Sequence, residues 1–333
     1  MIYIWRLSYD SNYLLKVTVF ATILFTLVSW LTPSGNKASA SHLNAKKVLL
    51  ISSYSLEYPI YTVFANGIKQ RLAEDPWTKF QIYYESLDLL RFSINSDDLA
   101  ATLKNKYATS RPDIIIVQSN PATGFVRKYG NMMFGDIPTI LVPDGQPLEV
   151  NEYPELPDNY SVLAPTINLD KSVQLILDIK PATKKIYMLV GTSDFDQRLR
   201  QIAVRQLASF AGKVEFIYLD QMSFPDMMQY IRTIEGEAAI LFLSYRKDAS
   251  DTDGFIAAKL IKEVSAVSRV PVFGIVETFI GSGCVGGYMQ NATYLAQKTA
   301  ERALAVLYGT NVNNAQVERI DIASYQLDRK SVV

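Results

Sequence analysis

Histidine and cysteine are almost absent from this chain: His42 and Cys284 are the only ones in 333 residues. That scarcity excludes several chemistries. A Ser-His-Asp or Cys-His hydrolytic site needs a histidine base, and His42 stands before the first strand-like run. A zinc site built from His and Cys fails on the same ground. A single cysteine allows no disulfide within the chain, even in an oxidising compartment. An excess of one charge is also lacking. Lys plus Arg and Asp plus Glu both number 33, which leaves no strong field for nucleic acid or an anionic membrane. No pair of carboxylates stands at a spacing that places both in one pocket, so a glycosidase is not indicated either. Taken together, these absences argue against an enzyme and against any metal or cofactor.

What is present suits a folded, exported protein. Hydrophobic residues make up 49% and charged residues 20%, a composition that packs a core. The length suits two lobes of roughly 100–150 residues. Residues 1–40 differ from the rest. Arg6 and Lys16 precede an uncharged apolar run from Val17 to Leu31, and Ala38-Ser39-Ala40 follows a polar stretch. A basic start, a short apolar run and an A-x-A site are the parts of a secretory signal peptide. The run is short for a bilayer span of ~20 residues, although an uncleaved N-terminal anchor uses the same parts. Either arrangement puts the remaining chain in the periplasm or another extracytoplasmic space. No cysteine stands close behind the run, so a lipidated N-terminus is not expected.

From Lys46 onward, β-rich apolar runs alternate with helical stripes. Continuous runs such as Asp113-Ile114-Ile115-Ile116-Val117 and Ala239-Ile240-Leu241-Phe242-Leu243 imply strands buried on both faces, hence α/β lobes with parallel sheets. The two halves echo each other. Lys46–Leu50 parallels Lys184–Met188, Ile114–Val117 parallels Ile240–Leu243, and Ile137–Asp144 parallels Val270–Glu277. Three matches in order at a nearly constant offset imply two Rossmann-like lobes of one topology. Residues 46–143 plus a late helix at 291–309 are assigned to the N-terminal lobe. That helix carries Ala296, Ala300, Ala303 and Leu307 on one stripe. Residues 166–288 plus 314–333 are assigned to the C-terminal lobe. A three-segment hinge then joins them through 144–165, 288–291 and 310–314, the first of these being rich in proline.

Gly281-Ser282-Gly283-Cys284-Val285-Gly286 fits G-x-G-x-x-G. A dinucleotide fingerprint belongs between the first strand and helix of its unit, and this one stands far too late. It reads instead as a tight loop between lobes. The candidate ligand contacts are residues just past the strand ends, where open parallel sheets bind ligands. They are Ser53, Tyr54, Ser119, Asn120 and Asp144 in the first lobe, and Thr192, Asp194, Tyr245 and Glu277 in the second. Each could equally cap a helix or close a turn. Tyr54 and Tyr245 offer flat walls with polar tips, and Asn120 a paired donor and acceptor. Asp144 and Glu277 occupy matching places in the repeat. Two acids facing one cleft favour a ligand with an amine or several hydroxyls.

Certain segments resemble a known family. They are Val48-Leu49-Leu50-Ile51-Ser52-Ser53-Tyr54 with Glu57-Tyr58-Pro59, Leu241-Phe242-Leu243-Ser244-Tyr245, Val270-Pro271-Val272-Phe273-Gly274, Gly283-Cys284-Val285-Gly286-Gly287 and Tyr325-Gln326-Leu327. These are similar to ABC-transporter-type substrate-binding proteins with the type I periplasmic-binding fold, from about Lys46 to the C-terminus. The resemblance implies a monomeric binding protein that closes on a small polar molecule and delivers it to a membrane permease. The same module serves as the extracytoplasmic sensing domain of histidine kinases and cyclic-dinucleotide enzymes. The alternative it implies is therefore a sensory protein, or a truncated receptor, that signals to a membrane sensor.

The leader reading is checked by export. Mature protein is expected in the extracytoplasmic fraction with its first residue near Ser41. N-terminal sequencing that returns Met1 or Ile2 supports the anchored form instead.

Overall fold

The computed structural model describes residues 45–89, 92, 95–145, 156–252, 254–309 and 317–329. The leader at 1–40, His42, residues 146–155 of the first expected crossover and the expected crossover at 310–314 lie outside them. No helix among the described residues is long and apolar enough to cross a membrane.

The first half runs β1 (Lys46–Ser52), α1 (Pro59–Ala73), β2 (Phe80–Ser86), α2 (Ser96–Tyr107), β3 (Ile114–Gln118), α3 (Asn120–Phe134), β4 (Thr139–Val142) and β5 (Tyr160–Pro165). The second runs α4 (Leu169–Ile179), β6 (Lys185–Val190), α5 (Asp194–Gln206), β7 (Glu215–Tyr218), α6 (Phe224–Ile231), β8 (Ala238–Ser244), α7 (Ala257–Val267), β9 (Val272–Gly274) and β10 (Gly286–Gln290). Then come α8 (Ala292–Leu307), β11 (Glu318–Ile320) and β12 (Ala323–Leu327). Two sheets result, in the orders β11-β5-β4-β3-β1-β2 and β12-β10-β9-β8-β6-β7. The two orders correspond strand for strand, which is the structural form of the repeat read from the sequence. Strand pairs are parallel except β10 with β12.

Helices cover both faces of each sheet, so the central strands β3 and β8 are buried along their whole length and need apolar residues at every position. In the first lobe, α2 and α3 pack Leu103, Phe125 and Met133 on one face. On the other, α1 and α8 pack Phe64, Ile68, Leu295, Ala296 and Ala300. The small side chains of α8 have a steric reason. A Cβ built on Gly67 of α1 would stand 2.6 Å from the Cβ of Ala296, so these helices cross nearly backbone to backbone. In the second lobe α4 and α5 cover one face, and α6 and α7 the other.

Two of the three crossings between lobes fall elsewhere than the sequence reading placed them, and the second lies at the end of its expected segment, 288–291. Tyr160–Pro165 is the fully buried strand β5, paired with β4, so the first crossing is at Thr166–Asn168. The second is Asn291, since Tyr288 and Gln290 still belong to β10. Glu318–Ile320 pairs with β5 in the first sheet while Ala323–Leu327 pairs with β10 in the second. The tail is thus shared, and the third crossing is Asp321–Ile322. The three links are bonded side by side: Thr166 N–H donates to Ile320 O, Asn291 N–H donates to Ile322 O, and the Gln290 side chain donates to Thr166 O. The glycine motif is not between lobes either. It leads into β10 within the second lobe, with Gly281, Gly283 and Gly286 all at positive φ, where a side chain would be strained.

Cys284, within this loop, is fully buried, and its thiol donates to Phe279 O at 3.2 Å. Burial, reinforced by the charge of Asp328, pushes its pKa up to about 11. Because the thiolate is the reactive form, native protein should release no thionitrobenzoate from Ellman's reagent at pH 8, and guanidinium should expose one thiol per chain. Rapid reaction of the native protein would contradict this packing.

Candidate ligand-binding cleft

Strand order reverses between β1 and β3 in the first sheet and between β6 and β8 in the second. The loops leaving these strands diverge there and open a crevice at the carboxyl ends. In the first lobe the chain turns off β3 at Ser119, whose φ of 77° and ψ of 155° fall in a region almost confined to glycine. Such a conformation costs roughly 1–3 kcal/mol and persists where surroundings over-determine it. Here they do. Ser119 N–H donates to Val142 O at 2.8 Å, while its Oγ bonds Tyr61 OH at 2.8 Å and donates to Asp144 Oδ1 at 2.7 Å. Asn120 N–H donates to Asp144 Oδ2, and Asp144 N–H returns a bond to Asn120 Oδ1. The Asp144 carboxylate is thereby fixed at the N-terminus of α3, where the helix dipole favours a negative charge.

In the second lobe Ser193 and Asp196 form a capping box at the start of α5. Asp196 is fully buried. Its Oδ2 accepts from the Ser193 N–H and hydroxyl and from Arg246 N–H at 3.0 Å. This fixes the backbone just past β8 and sends the Arg246 side chain toward the first lobe. Its guanidinium carbon lies 3.7 Å from the Phe195 ring centroid and 4.4 Å from that of Tyr54. Nη2 donates to Tyr61 OH at 3.3 Å. Nη1 has no hydrogen-bond partner among the described residues.

Arg246 is 9% exposed. Burial works against its charge, but the ionisable groups of Tyr61, Tyr54, Asp144 and Asp196 reverse the balance and raise its pKa. At neutral pH the two tyrosines are protonated, so Asp144 and Asp196 provide the countercharge. Burial pushes the Tyr54 hydroxyl up to about 12 against the opposing pull of Arg246. It raises Tyr61 well above the phenolic range.

Between the lobes lies a cavity of about 150 Å³. Gln118 and Asp144 line it from the first lobe, Arg246, Leu243 and Phe279 from the second, and Ile322 from a crossing. Most of the lining is apolar. Gln118 is 7% exposed and its Oε1 has no hydrogen-bond partner among the described residues. No group of three or more His, Cys, Asp or Glu side chains among the described residues is placed to hold a metal ion.

Of the residues expected at strand ends, Asp144 lines this cavity. Ser53 is fully buried instead, accepting from Ala122 N–H and donating to Gln118 O. Ser119 and Asn120 stand behind Asp144 and orient it. Tyr54 forms a ring cluster with Tyr58 and Tyr61 and backs the guanidinium of Arg246. Thr192 donates to Asp248 O, and Asp194 is exposed in the first turn of α5. Tyr245 is 1% exposed and packs between Phe224 and Phe255 in the second lobe's own core, so it forms no wall of the cavity. Glu277 accepts from Thr293 N–H at the start of α8, where it neutralises a helix N-terminus. The facing pair of acids is therefore one acid, Asp144, opposed by a base. Arg246, Gln118 and Tyr61 escaped the sequence reading. Arg246 follows Tyr245 by one position, and a charged residue two places past the end of a buried strand was the available signal.

The family model for ABC transporter substrate binding protein matches residues 59–332. A tyrosine-binding protein of Clostridioides difficile (strain R20291) is 22% identical over 239 residues, covering 69% of this chain and 65% of that relative, just under two thirds of its length. Among solved structures, the chain is similar to a substrate-binding protein with adhesive properties from Clostridium difficile in its ligand-free, open form. The TM-score is 0.63 at 17% identity, over 86% of this chain and 94% of the other. It is also similar to an ABC domain from Streptococcus pneumonia in complex with L-Trp, with a TM-score of 0.60 at 16% identity, over 86% and 93% of the two chains. At these identities the structures show the fold alone: two-lobed, with mostly parallel sheets.

Ser119→Ala tests the network around Asp144. It leaves the strained backbone in place and deprives Tyr61 and Asp144 of a buried partner, so stability should fall by about 1–3 kcal/mol, read from urea denaturation. A variant as stable as the parent would show that Ser119 does not hold this corner together.

Proposed function

The chain belongs to the family of ABC transporter substrate-binding proteins, and from that premise we propose that it is an exported binding protein. In this reading it captures one small ligand between its two lobes and delivers it to an ABC-type membrane permease. The observation that carries the reading is the cavity itself. Its walls come from both lobes, and Arg246 reaches across from the second lobe to the tyrosine cluster of the first. A ligand shifts an open–closed balance only by contacts that differ between the two states, and a molecule touching both walls gains its contacts on closure. The three adjacent crossings at Thr166–Asn168, Asn291 and Asp321–Ile322 are suited to a hinge, because bending there leaves both cores intact. The leader-like residues 1–40 support an extracytoplasmic location.

The relatives named for tyrosine and L-Trp are too distant for their ligands to carry over by likeness. The ligand's class has to come from the side chains of this cleft.

A thermal-shift screen over amino acids, sugars, nucleosides and carboxylates tests the capture step. A ligand at 100 times its Kd stabilises the folded state by ~2.7 kcal/mol, so a hit should raise Tm clearly. The same hit should reduce the radius of gyration in small-angle X-ray scattering. A ligand that raises Tm with no compaction binds outside the cleft and sinks the proposal.

A further inference from the structure

The end of the first lobe away from the cleft carries an aromatic pair that the cleft does not use. Trp77 is 75% exposed and Tyr308 55%, although tryptophan is highly buried on average. Helix α8 starts at the cavity, which Ala292 and Leu295 line, and Tyr308 follows its far end. Trp77 stands in the turn between α1 and β2, and that turn is fastened. Asp75 Oδ1 accepts from Trp77 N–H at 3.1 Å, from Thr78 N–H at 2.8 Å and from Tyr308 OH at 2.7 Å. Thr78 Oγ1 bonds Tyr308 OH at 3.0 Å. The two aromatic residues are thus tied to one carboxylate while their side chains stay largely in solvent. Charge nearby is mostly matched. Glu74 faces Arg71 at 3.8 Å and Lys46 pairs with Asp113 at 2.9 Å, while Lys79 is exposed beside the turn. The chain also enters the lobe here. Lys46 N–H donates to Lys79 O at 2.8 Å, so β1 begins next to this turn. In sequence, residues 32–44 separate the apolar run Val17–Leu31 from Ala45, and fully extended they reach at most ~45 Å.

On the reading that the chain is exported, we propose that this face rests on the phospholipid surface from which the chain emerges, with Trp77 and Tyr308 at headgroup level. Both side chains join an apolar body to one polar tip, and such residues gather at bilayer interfaces. Lys79 is placed to meet lipid phosphates. A permease that receives ligand must meet the cleft, at the carboxyl ends of the strands, so this end is not its dock. A second copy of the chain fits poorly, because two rings and one turn bury far less than the ~1,200 Å² of a specific dimer. A bilayer has no such threshold, since each ring enters it separately. Contact through so few groups is weak and reversible. It holds the chain near the membrane and still lets it turn its cleft to a permease.

Trp77 is the only tryptophan after residue 40, so the chain from Ser41 carries its own reporter. An N-terminal hexahistidine tag holds it on nickel-chelating lipid in phosphatidylcholine–phosphatidylglycerol vesicles, at the point where the leader would join. Trp77 emission should move to shorter wavelength and be quenched by lipids brominated high on their acyl chains. Tyr308→Ser should cut the quenched fraction several-fold. Tyr308→Phe, which keeps the ring, should retain most of it and guards against a loosened turn in the serine variant. In the double variant Trp77→Phe, Val204→Trp the reporter moves to a half-exposed position on α5 of the second lobe, and neither shift nor quenching should appear. Unchanged Trp77 emission on the vesicles, or equal quenching from position 204, overturns the proposal. A blue shift that grows with protein concentration in the absence of vesicles overturns it in favour of a second copy. Export is read separately, from the N-terminal sequence and the cell fraction, so a failure of that reading and a failure of this one are told apart.

Discussion

Arg246 holds a positive charge at a position that is 9% exposed, and an unbalanced ion so placed costs several kcal/mol. Much of the cleft is arranged around that cost. Asp196 spends one carboxylate oxygen on the arginine's own backbone and on the first turn of α5, which settles where the side chain starts. The rings of Phe195 and Tyr54 lie against the guanidinium, and cation–π contact returns part of the lost solvation. Tyr61 and Ser119 then relay its field to Asp144. The residues concerned come from both lobes, so the position of one charge links the geometry of both.

The strain at Ser119 belongs to the same arrangement. A glycine would adopt this backbone without penalty, but it would bring no hydroxyl to join Tyr61 to Asp144. A serine in the ordinary strand region would keep its hydroxyl and aim it elsewhere. The chain therefore combines a positive φ of 77° with a side chain that makes one buried and one partly buried hydrogen bond, each worth about 1 kcal/mol. That sum is of the same order as the strain.

The fold was legible wherever burial on both faces forces an unbroken apolar run. β3 and β8 could be read in this way, and their repeat in order revealed two lobes of one topology. β5 could not. Tyr160–Pro165 is just as buried, but it ends in proline and follows a stretch with prolines at 143, 147, 154 and 157, so turn signals outweighed it. In the site, Asp144 could be read because it follows a strand in the repeat. Glu277 occupies the equivalent place and behaves differently, because it opens a 3₁₀ turn, Glu277–Phe279, and its carboxylate meets Thr293. At the end of β8 the alternation of side chains decides the matter. Tyr245 falls on the core side and Arg246 on the cleft side, a distinction that strand ends in sequence do not carry.

The close packing of α8 against α1 has a consequence for how the chain reaches this state. Phe64, Ile68 and Val48 share their apolar cluster with Leu295, Ala296 and Ala300, which the ribosome makes only after all of the second sheet but β12. Until then the first lobe has only α1 to cover one face of its sheet. At synthesis rates of about 5–20 residues per second the delay is on the order of tens of seconds. Closing so long a loop also adds entropy that slows folding afterwards. The amino-terminal lobe is thus completed late although most of its strands are the first to be made. A polypeptide that cannot finish either its first core or its shared hinge until nearly its full length exists stays threadable for longer than one that folds as it emerges.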